Sequence, residues 1–252
     1  MTIPTYLPYF VAAGTAATLI AILYGLNRAL ADAHWPAQER VQTFRVSAAI
    51  LLGWLAAAVM LGALGVYHVG ASDVPTIQYG ILLPILIGGF MIWRSETTKR
   101  IIATVPQQWL VGVQLYRALG VIFLILYATG KLPGQFAWPA GAGDIAVGLL
   151  APVVGLAYAQ APQKTGGLVV AWNVLGILDL IVAVGTGFMT APSRFLTLDV
   201  QPTSDLMTVL PMVLIPVYLV PLSIVLHLAS VAKLRREAHA SQSHGKVATA
   251  RT

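Results

Sequence analysis

Apolar residues along this chain do not alternate with polar ones. They run together in blocks of about twenty, separated by short stretches that hold most of the charges. Such blocks lack the two-residue period of a half-buried strand and leave no wide polar face on a helix, so each reads as a helix that is apolar all round. Twenty residues rising about 1.5 Å each match a hydrocarbon core about 30 Å thick. Seven blocks qualify, at roughly residues 7–27, 46–67, 77–93, 109–129, 140–159, 168–189 and 207–231. The predicted fold is therefore all-α, a polytopic membrane protein built as a bundle of seven transmembrane helices. The longest connections fall at 28–45, 94–108 and 190–206, so residues 1–237 are expected to form a single transmembrane domain. The polar terminus at 238–252, AHASQSHGKVATART, reads as a flexible cytoplasmic tail.

Composition agrees. The chain is 58% apolar and 10% charged with mean hydropathy +0.79, against about 25% charged residues in soluble domains. Orientation follows from the fifteen Lys and Arg, because cytoplasmic loops retain positive charge. With the N-terminus outside, twelve of them fall on the inner side: Arg28, Arg40, Arg45, Arg94, Lys99, Arg100, Lys164, Lys233, Arg235, Arg236, Lys246 and Arg251. Lys131 and Arg194 fall outside, and Arg117 lies within a span. The N-terminus is expected outside and the C-terminus in the cytoplasm, in a plasma membrane, the inner one if the source is bacterial. The dispersed basic residues account for the net charge of +6 without nucleic acid, so the lipid bilayer is the expected partner. The first block has no preceding Lys or Arg and exceeds a signal peptide's apolar core, so it reads as a retained span. Cysteine is absent, which removes disulfides, thiol catalysis and cysteine-held metals.

Within the fourth block, VQLYRALGVIFLILY holds Arg117 among apolar neighbours. An isolated charge at mid-membrane costs from about 3 to 17 kcal/mol, so it is expected to face the bundle and find a counter-ion. Counted from Trp109, Arg117 is about 12 Å from the inner boundary, and Asp179, counted from Leu168, about 16 Å from the same side. Asp144 is about 9 Å from the outer boundary at Trp138. Arg117 with Asp179 is the expected pair, with Asp144 within reach. Asp144 shares a helix face with Gly148, Ala151 and Gly155, and Asp179 with Gly176, Ala183 and Gly187; small residues mark helix contacts, so both acids are expected to point inward. Gln114 lies one turn from Arg117, Asn173 at inner depth on the sixth block, and His227 near the inner end of the seventh. Asn173 and Asp179 are about 120° out of phase and cannot point the same way from one helix. Pro216 and Pro221 each remove a helix N–H from the seventh span and are candidate hinges. A faint likeness of ILLPILI to VLPMVLI leaves open an inverted repeat of three plus one plus three helices.

Gly141-Ala142-Gly143-Asp144 resembles the GxGD motif of intramembrane aspartyl proteases, in which two carboxylates sharing a proton would activate water. The match covers four residues. That family's motif carries the second aspartate, whereas Asp144 comes first here, no Tyr-Asp or Pro-Ala-Leu element accompanies it, and a nearby arginine opposes a shared proton. A retinal Schiff base has no lysine in the last span before Lys233, and the five histidines form no pair of haem ligands. No HExxH, Walker A or carboxylate-rich metal cluster is present. No metal or other cofactor is expected. The expected function is a small secondary transporter or an ion- or proton-conducting protein, with Arg117, Asp144, Asp179, Gln114, Asn173 and His227 as its polar centre and a small solute or ion as its cargo. The alternative is a membrane sensor or interaction scaffold in which the buried charges are structural, and an intramembrane hydrolase is a second.

Overall fold

The computed structural model describes residues 4–68 and 74–249, with side chains as far as Ala238. It is all-helical among the described residues, and seven of its helical spans are long and apolar enough to cross a membrane. The first two are α1 (Leu7–Asp32) and α2 (Ala37–Ala63). Most of the expected connection at 28–45 is thus helix. Only residues 33–36 link the two, with His34 at φ 55° turning the chain and Pro36 opening α2. Helix α3 (Ile77–Arg94) is followed by the short α4 (Glu96–Thr104), whose first turn is closed by the Ser95 hydroxyl accepting from the Thr98 N–H at 3.2 Å.

The fourth span, Gln107–Ala128, is continuous but not uniform. It consists of α5 (Gln107–Gly112), a 3₁₀ stretch (Val113–Gly120) and α6 (Val121–Ala128). The 3₁₀ stretch is longer than the three or four residues usual for this conformation, and it carries Gln114 and Arg117. Helix α7 (Gly134–Gln160) runs against it at backbone distance. A side chain at Gly148 would meet the Ala118 backbone, and one at Gly155 would lie 3.0 Å from the Gln108 carbonyl oxygen. The small-residue face of α7 is therefore a contact with the fourth span, and Ala151 in its middle is fully buried. Helix α8 (Pro162–Thr190) starts on a proline, whose missing N–H is spare at that position.

The seventh span starts later than the sequence pattern suggests. Residues 204–208 form one 3₁₀ turn, Pro211 precedes the helix, and a π turn (Ile215–Leu219) leads into α9 (Val220–Thr249). The delay has a local cause. Pro216 supplies no N–H in the first turn, and Pro221 cannot close an α-type bond to the Val217 carbonyl, so the chain widens there. Helix α9 continues to Thr249, so the backbone of 238–249, expected as a flexible tail, is helical.

Contacts define the two ends. At the end near the N-terminus, the His68 ring lies 3.3 Å from Asp205, and Ser204 donates to the Gly187 carbonyl at 2.8 Å. At the opposite end, Arg100 pairs with Glu39 at 2.8 Å and covers the Trp35 ring. Lys233 of α9 donates to the Ala103 carbonyl at 2.6 Å, placing a cation where the last carbonyls of α4 are unpaired. Apolar clusters fill both ends, one around Ile122, Leu126, Phe136 and Met212, the others around Val111, Ala151 and Trp172 and around Leu26, Leu30 and Leu110. Arg117 lies between them along the fourth span, after Val111 and before Ile122.

Candidate functional site: a buried arginine with two aspartates

Arg117 is 3% exposed, and four of its five N–H bonds have protein acceptors. Nε donates to Asp144 Oδ1 at 2.8 Å, and Nη2 donates to Asp179 Oδ2. Nη1 donates to the Gly176 carbonyl at 3.2 Å and to His227 Nε2 at 3.1 Å. The guanidinium thus joins α7, α8 and α9 to the fourth span. Asp144 is a full partner rather than a neighbour within reach, because the planar fork offers separate edges to two carboxylates.

Glycines make this approach possible. A Cβ at Gly143 would collide with the Asp179 carboxylate, one at Gly176 with the His227 ring, and one at Gly120 would stand 2.5 Å from the Asp144 Cβ. The Gly-Ala-Gly-Asp segment therefore has a packing role in which Gly143 admits the other acid. The two carboxylates are bridged by one guanidinium, an arrangement unlike a dyad sharing a proton.

His227 has its tautomer set by its neighbours. Asn173 Nδ2 donates to the Val169 carbonyl at 2.7 Å and to Ser230 Oγ at 2.8 Å, which leaves Asn173 Oδ1 as the atom facing His227 Nδ1 at 2.9 Å. An amide oxygen accepts, so Nδ1 carries the proton. Arginine only donates, so Nε2 accepts from it. His227 is neutral in this network, and its ring lies 4.9 Å from that of Trp172. Asn173 reaches Arg117 through α9, which reconciles its position with its helical phase relative to Asp179.

The chain of hydrogen bonds goes further than the six expected residues. Ser230 Oγ also accepts from Gln107 Nε2 at 2.6 Å, extending the network toward the end of the bundle that holds α4. Tyr116 and Ser223 hydroxyls are 2.5 Å apart. Ser223, His227 and Ser230 recur at spacings of four and three on α9, a polar stripe visible in sequence that the search for charges passes over. Gln114 is fully buried, and its amide has no hydrogen-bond partner among the described residues. It stands apart from the bonded network.

Two cavities meet at Asp144. The larger, about 80 Å³, extends from Asp144 past Phe123 and Phe136 to Tyr67, Ser204 and Asp205 at the N-terminal end. The smaller, about 40 Å³, lies between α1, the 3₁₀ stretch and α9, and is lined by Thr15, Tyr116, Arg117, Asp144 and Ser223. Asp144 and Asp179 side chains each retain 13% exposure. No group of three or more histidine or acidic residues suited to a metal occurs among the described residues.

These features define a seven-span helical protein with a charged centre enclosed by its last four spans. The chain belongs to the family described as Domain of unknown function (DUF8737), whose profile matches residues 74–235. The match runs from the start of α3 into α9 and includes Gln114, Arg117, Asp144, Asn173, Asp179 and His227, while α1 and α2 lie outside it. No match is found among curated proteins or among solved structures.

Proposed function

We propose that this is an integral membrane protein, N-terminus outside and C-terminus cytoplasmic, acting as a small secondary transporter or proton-conducting protein through Arg117, Asp144 and Asp179. One observation carries the reading. Two carboxylates share one guanidinium, so the centre has one negative charge in excess when both acids are ionised, and the cavities give one of those acids an approach from the N-terminal end. Excess charge inside a membrane is costly unless a proton or cation joins it. A centre that takes up one positive charge and releases it has the chemistry of a carrier. The chain His227–Asn173–Ser230–Gln107 supports a continuation toward the other side.

A structural reading has support too, since four of five Arg117 N–H bonds are engaged, as in a clamp that fixes helix register. It would suit a membrane sensor or scaffold. Proton flux in proteoliposomes separates the two. The transporter reading expects flux above empty liposomes in wild type and its loss in folded Asp144→Asn or Asp179→Asn. Absence of flux over a broad panel of ions overturns it, and full activity of Arg117→Gln combined with both Asn changes removes the centre from the mechanism.

A further inference from the structure

We propose that the larger cavity binds a small organic ammonium ion, with the alkyl part among its apolar and aromatic walls and the charged head against Asp144. This deepens the transporter reading by naming a substrate class, and rests on it for the role of binding though not for the binding itself.

The charged lining of the cavity is entirely acidic. Asp144 stands at its inner end and Asp205 at its outer end, and no Lys, Arg or His lines it among the described residues. His68 lies beside Asp205 at 3.3 Å, on the exposed side. Arg117 lines the smaller cavity and not this one, so an anion entering from the N-terminal end would meet carboxylates first. Asp144 has an oxygen to spare: Oδ1 accepts from Arg117 Nε, and Oδ2 has no protein donor among the described residues. Asp144, with this spare oxygen, lines both cavities.

The walls are apolar. Tyr67, Phe123, Phe136 and Phe188 contribute ring surfaces, and Phe123 and Phe136 pack edge to face at 5.4 Å between centroids. A bare metal ion or proton has no use for such a lining, whereas an alkylammonium ion gains from it twice, by burying its chain and by placing its cation near ring faces. The volume of about 80 Å³ is roughly half the ~150 Å³ that accepts a benzene ring. A chain of three or four carbons fits that space, with Phe136 and Asp144 eight residues, about 12 Å, apart along α7.

The test is calorimetric titration of the full chain in detergent with n-butylammonium chloride, compared with n-butanol and sodium butyrate. Saturable binding of butylammonium, at least about tenfold tighter than butanol and with butyrate inert, supports the site. Asp144→Asn is expected to weaken binding about tenfold or more. Because that change also touches Arg117, Ala183→Leu serves as the second variant: Ala183 lines this cavity, which Arg117 does not, and the larger side chain is expected to lower affinity about tenfold in a protein that still unfolds cooperatively. Equal binding of butanol and butylammonium would reduce the cavity to an apolar hole, and indifference to Ala183→Leu would move the binding elsewhere; either overturns the proposal. So does a copurified lipid that butylammonium cannot displace. Proton flux without butylammonium binding removes the ligand and leaves the relay, whereas binding without flux sustains the site and removes the relay.

Discussion

If Arg117 is held by two acids, removing either one should cost far less than removing both. Asp179→Asn or Asp144→Asn alone takes the centre from one excess negative charge to neutrality and leaves the guanidinium with a carboxylate. The loss is then that of one charge-assisted hydrogen bond, about 1.5–3 kcal/mol. In the double variant the guanidinium, 3% exposed, has no counter-ion, and that second step carries the cost of breaking a buried pair, about 3–5 kcal/mol. The double loss should exceed the sum of the singles by about 1–2 kcal/mol, within the range seen for directly coupled residues. Arg117→Gln leaves two carboxylates facing each other across α7 and α8 and should be the most damaging single change, while Arg117→Gln with both Asn changes should recover much of the loss. Reversible unfolding in mixed micelles, followed by tryptophan fluorescence, reads these differences. Strictly additive aspartate losses, or an Arg117→Gln penalty below either of them, would refute the shared clamp.

Other expectations follow from particular contacts. Gly143→Ala inserts a methyl against the Asp179 carboxylate and should destabilise by about 1–3 kcal/mol, as overpacking does, whereas Gly112→Ala, with nothing within 4 Å, should leave the unfolding midpoint unchanged or raise it. Nitrogen-15 spectra of the purified protein should show His227 neutral and protonated at Nδ1; protonation at Nε2 would contradict the network. Since the chain has no cysteine, single cysteines report topology directly: Asp199→Cys should react with an impermeant maleimide from outside the cell and Thr97→Cys only after permeabilisation, and the reverse pattern would invert the proposed orientation.

How much of this is legible in sequence depends on whether one helix or several must be known. The seven spans are, because about twenty apolar residues without a polar face leave no alternative. Counting residues from Trp109 and Leu168 brings Arg117 and Asp179 to similar depth, and they meet. Asp144, at a depth reckoned from the other boundary, looks secondary until the 3₁₀ stretch is considered: at about 2 Å rise per residue instead of 1.5, it displaces Arg117 relative to any α-helical count. The link from Asn173 to Arg117 is illegible from α8 alone because it passes through His227 on α9. The same holds for Gln107, which falls in the connection expected at 94–108 and is joined to the centre through Ser230.

The two departures from α-helix have a common explanation in the site. The 3₁₀ stretch and the π turn face one another, with the Tyr116 hydroxyl 3.4 Å from the Leu219 carbonyl oxygen and 2.5 Å from the Ser223 hydroxyl. Irregular backbone at membrane depth is tolerated where protein or a water-lined cavity satisfies its polar groups, and here both stretches line the smaller cavity beside Asp144. Pro216, read from sequence with Pro221 as a candidate hinge, lies in this π turn, and Pro221 follows it at the start of α9. The carbonyl that Pro216 leaves without an α-type partner, that of Met212, accepts instead from the Ile215 N–H at 3.0 Å, and the Leu219 carbonyl accepts from the Tyr116 hydroxyl. On the proposed carrier reading, a change at Asp144 is expected to reach Leu219 through Tyr116, which lines the same cavity and donates to the Leu219 carbonyl. That route would join the two spans whose helices are interrupted, through residues that all lie within the family's matched region.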